Sequence, residues 1–231
     1  MTEDSGIVLP KTIAILGGTG KEGKGLAYRW AKAGYAILIG SRQIEKAEAA
    51  AADLNELTGG ACSILGMTNE FAAEKADLVV LTVPFSVHKV MLEAIRPFVQ
   101  GKIFIDVTVP LVPPKVTKVQ MPESGSASLE AQKILGENVQ VVAAFQNVSY
   151  EHLLHDSPVQ CDVLVCGSGK AARAVVLELV KAAGLVGWDA GVLENSMVVE
   201  GMTSILININ KQFGVASAGI RITGVPRQDE E

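Results

Sequence analysis

The sequence predicts an α/β fold: a Rossmann-type, doubly wound, mostly parallel sheet with a small C-terminal α/β lobe. Three observations predict it. Short apolar runs alternate with helical stretches along the chain. Those runs are apolar on both faces, as strands covered by helices on both sides must be. A glycine-rich turn joins the first run directly to the first helix.

The elements follow in order. "TIAILG" (12–17) reads as the first strand, followed by a helical pattern through Trp30, Ala31 and Ala33. "YAILIG" (35–40) is the second strand, and "EKAEAAAADLNEL" (45–57) an alanine-rich helix. "CSILGM" (62–67) and "ADLVVLTVP" (76–84) are the third and fourth strands. A helix through Val87, Met91, Leu92 and Ile95 leads to the fifth, "KIFIDVTVP" (102–110). Residues 110–128 hold prolines and a Ser/Gly cluster, which forbid regular structure. Ser126 or Ser128 is placed to cap the helix "LEAQKILG". The sixth strand, "VQVVAAF" (139–145), ends at Gln146-Asn147. "CDVLVCG", a helix over 170–183, "LVGWDAG" and a last helix from about Glu194 to Gln212 complete the chain. The expected boundary lies near Tyr150, dividing a dinucleotide-binding domain (11–150) from a small C-terminal domain (151–231).

Composition narrows the function. The chain has 231 residues, 48% of them hydrophobic and only 5% aromatic, so it can bury a large aliphatic core. A formal charge of −5 argues against general binding to nucleic acid or anionic membrane. No apolar run approaches the roughly 20 residues of a membrane span, and "MTEDSGIVLPK" reads as a short loose leader without a signal-peptide core. Three cysteines make no disulfide scaffold. Cys161 and Cys166, five apart in a strand, should face opposite sides as core residues. A cytoplasmic protein is expected.

"GGTGKEGKG" (17–25) supports two readings. Gly18 to Gly25 approaches a P-loop, but Gly25 stands where that loop needs a Mg²⁺-binding hydroxyl. Asp106, ending "KIFID", is the one feature that favours this rival. Gly18, Gly20 and Gly23 spell the dinucleotide fingerprint between a strand and a helix. Gly18 is expected to permit the tight turn, Gly20 to let the backbone approach a pyrophosphate, and Gly23 to let helix and strand pack. The end of the second strand decides which dinucleotide. An NAD site usually has a carboxylate there; this chain has Ser41 and Arg42, then Lys46. A hydroxyl, a two-pronged guanidinium and a point charge suit a 2′-phosphate, so NADP(H) is expected.

Two other constellations are weaker. His152, His155 and Asp156 could hold a metal, but surface histidines behind a Ser149 cap are the plainer reading, and no metal is expected. His88 follows the fourth strand and should either touch the nicotinamide ribose or face solvent.

The residues "AILGGTGKEGKGLAYRWAKAGYAILIGSRQIEKAE", "DLVVLTVPF", "VVAAFQNVS", "DVLVCGSGKAA", "DAGVLENSMVVE" and "TSILININKQFG" together resemble the F420-dependent NADP oxidoreductases, over about Lys11 to Gly224. The resemblance implies hydride transfer between the deazaflavin coenzyme F420 and NADP. It places Thr19, Gly20, Lys21 and Glu22 at the pyrophosphate and Ser41, Arg42 and Lys46 at the 2′-phosphate. Phe85 and Lys89 would border the cofactor, and Leu111 and Tyr150 its nicotinamide half. Gln146 and Asn147, and from the final helix Thr203 with Ile205, Leu206 and Ile207 nearby, would receive F420, and a homodimer is implied. Some family members have His in place of Gln146 and Ser in place of Gly201. Gln cannot serve as an acid, which leaves polar anchoring for Gln146. No acid, base or nucleophile is implied, because both reactants stabilise charge in their own rings. The alternatives are an NADPH-dependent reductase of a flavin, metal or imine, and a non-catalytic NADP-sensing module.

Overall fold

The structure, a computed structural model, describes residues 7–227. Residues 1–6 of the expected leader and residues 228–231 of the expected C-terminal domain lie outside the described residues.

Eight strands form one sheet in the order β3-β2-β1-β4-β5-β6-β7-β8. They are β1 (Thr12–Leu16), β2 (Ala36–Ser41), β3 (Ile64–Thr68), β4 (Leu78–Leu81), β5 (Ile103–Asp106), β6 (Gln140–Ala143), β7 (Asp162–Gly167) and β8 (Val186–Asp189). All neighbours are parallel except β6 and β7. The sheet therefore continues past Tyr150 without a break. The helices are α1 (Lys21–Lys32), α2 (Ile44–Leu57), α3 (Asn69–Lys75), α4 (Phe85–Ile95), α5 (Ala127–Leu135), α6 (Lys170–Ala182) and α7 (Ser196–Phe213).

Strand alternation divides the core in two. Ile13 and Ile15 face a layer built with α1, α2 and α6; Ala14 and Leu16 face one built with α3, α4 and α5. Cys161 lies in the first layer and Cys166 in the second, on opposite sides as their spacing predicts. The indole of Trp30 is fully buried; its N–H donates to Leu179 O at 2.8 Å and its ring meets Phe145 edge-on.

Two features differ from the sequence reading. The helix α3 was not expected; Thr68 caps it by accepting from Phe71 N. β4 and β5 are shorter than the apolar runs that announce them. Beyond Leu81 and Asp106 each chain keeps one further bond to its neighbour, Thr82 N to Leu16 O and Val107 N to Leu81 O, and then leaves the sheet. Pro84 and Pro110 have no N–H to extend the ladders. Of the two serines offered as caps, Ser126 caps α5 and the Ser128 hydroxyl instead donates to Glu200.

Between β1 and β4 the chain order reverses. This is the switch point of an open sheet, and the strand ends there form the crevice where such sheets bind ligands.

Candidate cofactor-binding site

The glycine turn after β1 is built by close contacts. Gly17, not Gly18, takes the left-handed conformation, with φ 70°, and a Cβ there would lie 2.6 Å from Val83 Cγ1. Gly18 must be glycine for another reason: a Cβ would lie 2.6 Å from Ile15 O. This corrects the expected division of labour. At Gly23 a Cβ would meet Gly18 Cα at 2.6 Å and Thr82 Oγ1 at 2.8 Å, so helix and strand pack through it. Gly20 differs from these. Its nearest obstacle is Gly17 O at 3.6 Å, and as N-cap of α1 it offers no side chain to the helix N–H groups. The space above it suits a phosphate, held by the exposed helix end. Gly25 faces the side chain of Leu153 so closely that the hydroxyl a P-loop requires has no room.

A cavity of about 830 Å³ opens beside this turn. Thr19, Gly20, Ser41, Arg42 and Lys46 all line it. Arg42 and Lys46 form no ion pair among the described residues. Ser41 Oγ accepts from Gln43 N at 3.2 Å, which leaves its own proton to donate. The start of α2 has no side-chain cap, so its helix dipole adds to the positive field. Val83, Val87 and Met91 supply an apolar wall. Sequence reasoning missed Asn69, which also lines the cavity and accepts from Gly17 N at 3.2 Å. The signal was Thr68 capping the overlooked helix.

Glu22, two residues on from Gly20, lines a second cavity of about 300 Å³. Leu111, Gln146, Asn147, Tyr150, Thr203, Leu206 and Ile207 all line it. Residues far apart in sequence are joined here by one chain of hydrogen bonds. Asn147 Nδ2 donates to Val199 O (2.9 Å) and to Thr203 Oγ1 (3.2 Å), and Thr203 Oγ1 donates to Gln146 O (2.9 Å). Just before them Phe145 has φ 74°, a left-handed conformation that costs a side-chain-bearing residue about 1–3 kcal/mol. Its buried ring packs edge-on against Trp30, and Gln146 and Asn147 follow it directly after β6. Gln146 Oε1, Asn147 Oδ1 and Glu22 Oε1 are buried with no partner, each a cost that a bound ligand can relieve.

The remaining candidates lie outside both linings. Gly18 and Gly23 shape the turn, and Lys21 Nζ lies 3.3 Å from Tyr150 Oη and 4.7 Å above its ring. Phe85 begins α4 against the His88 ring, and Lys89 is exposed one turn on.

Residues 12–110 match the family described as NADP oxidoreductase, coenzyme F420-dependent. The F420-dependent NADP reductase of Methanothermobacter thermautotrophicus is 42% identical over 229 residues, covering 96% of this chain and 99% of that protein. This chain belongs to the F420-dependent NADP oxidoreductase family. The F420-dependent NADP reductase of Methanocaldococcus jannaschii is 40% identical over 221 residues, covering 92% of this chain and 98% of its own length. Among solved structures, a putative F420-dependent NADP reductase from Arthrobacter sp. FB24 superposes with a TM-score of 0.76 at 22% identity, over 93% of this chain and all of that one. The NADP-bound pyrroline carboxylate reductase of Plasmodium falciparum gives 0.58 at 14% identity, over 90% of this chain and 67% of that one. These structural likenesses establish the fold.

Against the pattern of the F420-dependent NADP oxidoreductase family, Gly201 has a local explanation. A Cβ there would lie 3.0 Å from Met121 Cε, so glycine lets the 110–128 segment close on α7. Beneath the second cavity is a buried polar group that the sequence did not announce. His88 neither faces solvent nor lines either of these two cavities; it is fully buried. Its Nε2 lies 2.8 Å from Asp106 Oδ2 and its Nδ1 3.3 Å from Glu130 Oε1. Asp106 O in turn accepts from Gln146 Nε2 at 2.8 Å. Asp106 is therefore part of the support for the wall of the second cavity and not a free metal ligand. Glu200, fully buried on α7, accepts from Ala127 N, Ser128 N and Ser128 Oγ at the start of α5. Among the histidines and acids first weighed as metal ligands, Asp156 is held by Lys32 at 2.6 Å and Tyr28 at 2.9 Å.

Three of these groups hold protons more tightly in the folded chain than in the unfolded one. Burial pushes the Glu22 carboxyl up to about 8 from an ordinary 4.5. Burial first, and the charge of Asp106 second, push Glu200 up to about 7 against its hydrogen bonds from α5. For His88 burial acts downward, but the charge of Asp106 and the bonds to Asp106 and Glu130 outweigh it and raise the group. Folding therefore takes up protons. The stability these groups contribute is complete below their ordinary values and is lost as pH rises through their folded ones. Stability, and with it the unfolding midpoint, should fall between about pH 5 and pH 8, by about 1.4 kcal/mol of unfolding free energy per pH unit for each proton that the folded chain holds and the unfolded chain has released. Thermal melts across that range test it; a midpoint that rises with pH contradicts the assignment.

Proposed function

We propose that this protein carries hydride between NADP(H) and F420, with residues 11–150 holding NADP(H) and residues 151–231 completing the F420 pocket. NADPH, oxidised F420 and one proton give NADP⁺ and reduced F420, and the same site runs the reverse. One observation carries the reading: two cavities flank a single turn, Gly20 to Glu22, at the switch point of the sheet. The first has unpaired cations where a 2′-phosphate belongs. The second is largely apolar with a few fixed polar groups, the composition of a site for flat redox rings.

The rings supply the hydride chemistry themselves. The protein's part is to bind, orient and exclude water. Arg42, Lys46 and Ser41 anchor the 2′-phosphate, and the uncapped start of α1, with Thr19 and Lys21, takes the pyrophosphate. Leu111, Leu206 and Ile207 keep water from the ring cavity, while Gln146, Asn147 and Thr203 fix the ring edge. Phe85 and Lys89 border the entrance at α4. No protein acid or nucleophile enters the balance sheet of this reaction.

Exposed apolar side chains on α7, Met197, Val198, Ile205 and Phe213, support a homodimer through that helix. Light scattering at micromolar concentration should give twice the chain mass; a strict monomer removes the proposal. No helix among the described residues is long and apolar enough to cross a membrane, and we place the protein in the cytoplasm.

The activity test mixes the protein with NADPH and oxidised F420 and follows loss of deazaflavin absorbance, with FMN and FAD in parallel. Bleaching of F420 alone is expected. Turnover of the flavins alone would make it a flavin reductase, and tight NADPH binding with no turnover would make it a sensor.

A further inference from the structure

Glu22 is an odd residue for its place. It is the second residue of α1, beside the expected pyrophosphate, where a negative charge would repel the ligand. Its side chain, however, does not line the first cavity but the second. There its Oε1 is one of three buried oxygens without a partner, with Gln146 Oε1 and Asn147 Oδ1. The two amides are locked by their N–H groups, Gln146 on Asp106 O and Asn147 on Val199 O and Thr203 Oγ1, so their oxygens are what they have left to offer. Both residues are 5% exposed.

Among the described residues no cation pairs with Glu22. Lys21 is occupied with Tyr150, and Lys24 pairs with Asp53 at 3.0 Å. Tyr150 is the other titratable residue lining the cavity, and the rest of its lining is uncharged. A carboxylate left in such a wall is costly, whereas a carboxylic acid keeps an acceptor and gains a donor.

We propose that Glu22 serves as a neutral carboxylic acid in the ring cavity, and that with Gln146 and Asn147 it forms an acceptor wall selecting a ring edge that carries N–H donors. The inference rests on the reading that this cavity receives the redox rings. Two ring edges have the required chemistry: the nicotinamide carboxamide and the imide N–H of the deazaflavin. Binding of whichever occupies the wall becomes proton-linked, because Glu22 is half-buried with its Oε1 enclosed, and burial pushes its carboxyl up to about 8.

Two measurements test it. The first needs no ligand: an infrared difference spectrum of wild type minus Glu22→Gln at pH 7 should show a protonated carboxyl band that fades above pH 8. The second is calorimetric titration of F420, of NADP⁺ and of 2′,5′-ADP into wild type, Glu22→Gln and Glu22→Leu between pH 7 and 9.5, in two buffers of different ionisation enthalpy. For at least one ring-bearing ligand the wild-type Kd should rise about tenfold per pH unit above the pKa, with proton uptake approaching one. Glu22→Gln should bind that ligand at pH 7 within about threefold of wild type and lose the pH dependence, and Glu22→Leu should bind it about tenfold more weakly throughout. The ring-free 2′,5′-ADP should respond to neither change. Absence of the carboxyl band overturns the proposal, as does a Glu22→Gln profile that follows wild type. If F420 fails to bind while NADP⁺ shows the linkage, the proposed function fails and the acid wall stands.

Discussion

Arg42→Ala should weaken NADP(H) binding by about 1.5–3 kcal/mol, about tenfold to more than a hundredfold in Kd, and leave NAD(H) binding nearly unchanged. The reason is geometric. Arg42 and Lys46 line the first cavity, and neither is neutralised by a carboxylate among the described residues. A guanidinium makes two parallel bonds to a phosphate and keeps its charge at any working pH. NAD(H) has no 2′-phosphate and so nothing for Arg42 to clamp. Lys46→Ala should act in the same direction but less strongly, since an ammonium contributes as a point charge. Titration of both dinucleotides into wild type and variant measures the difference. Equal losses for the two cofactors would refute the 2′-phosphate assignment, because that result is expected of an arginine that merely shapes the turn.

Asp106→Ala should cost about 3–5 kcal/mol of folding stability, the range for removing one member of a buried ionic pair. Asp106 and His88 are both fully buried, 2.8 Å apart. The truncation removes the partner of His88 Nε2 and also the acceptor for Thr108 N, which Asp106 Oδ1 now holds at 3.0 Å. Two polar groups are then stranded at once. Asp106→Asn retains an oxygen for Thr108 and a polar neighbour for the imidazole. It should lose less stability and lower the pH at which His88 gives up its proton. Urea unfolding of the three proteins decides the point. A loss below about 1 kcal/mol in the alanine variant would mean that water or a rearranged neighbour replaces Asp106, and that the pair is no structural support.

Much of the fold is legible in the sequence, because its signals are local. The apolar runs locate every strand, and the glycine spacing locates the turn between β1 and α1. The ends of the runs are less reliable. Apolar residues such as Val83 and Val107 continue past the point where β4 and β5 leave the sheet, since the crevice they then line is also apolar. The helix α3 escaped because it is one short element between two strong strands. Within the turn, the glycines were recognised but their roles were not all assigned correctly. Which of two adjacent glycines takes φ 70° depends on Val83 and Ile15, and not on the motif.

For the site the division is sharper. Ser41, Arg42 and Lys46 form a cluster because they are neighbours on one strand end and one helix start, so the 2′-phosphate site proposed for them rests on residues adjacent in the chain. His88, Asp106 and Glu200 gave no such signal. An isolated histidine, a strand-end aspartate and a glutamate in an apolar helix are each common in solvated positions.

The sequence by itself determined the fold class, the glycine turn between β1 and α1, and the Ser41, Arg42 and Lys46 cluster from which a preference for NADP(H) is expected. All three depend on residues within a few positions of one another, whose geometry the backbone periodicities dictate. Only the tertiary structure decided that His88 is buried on Asp106, that Glu200 holds the start of α5 across 73 residues of chain, and that Glu22 shares a wall with Gln146 and Asn147. Whether a polar atom is paired, orphaned or stripped of water is set by what distant segments pack over it, and no local pattern encodes that.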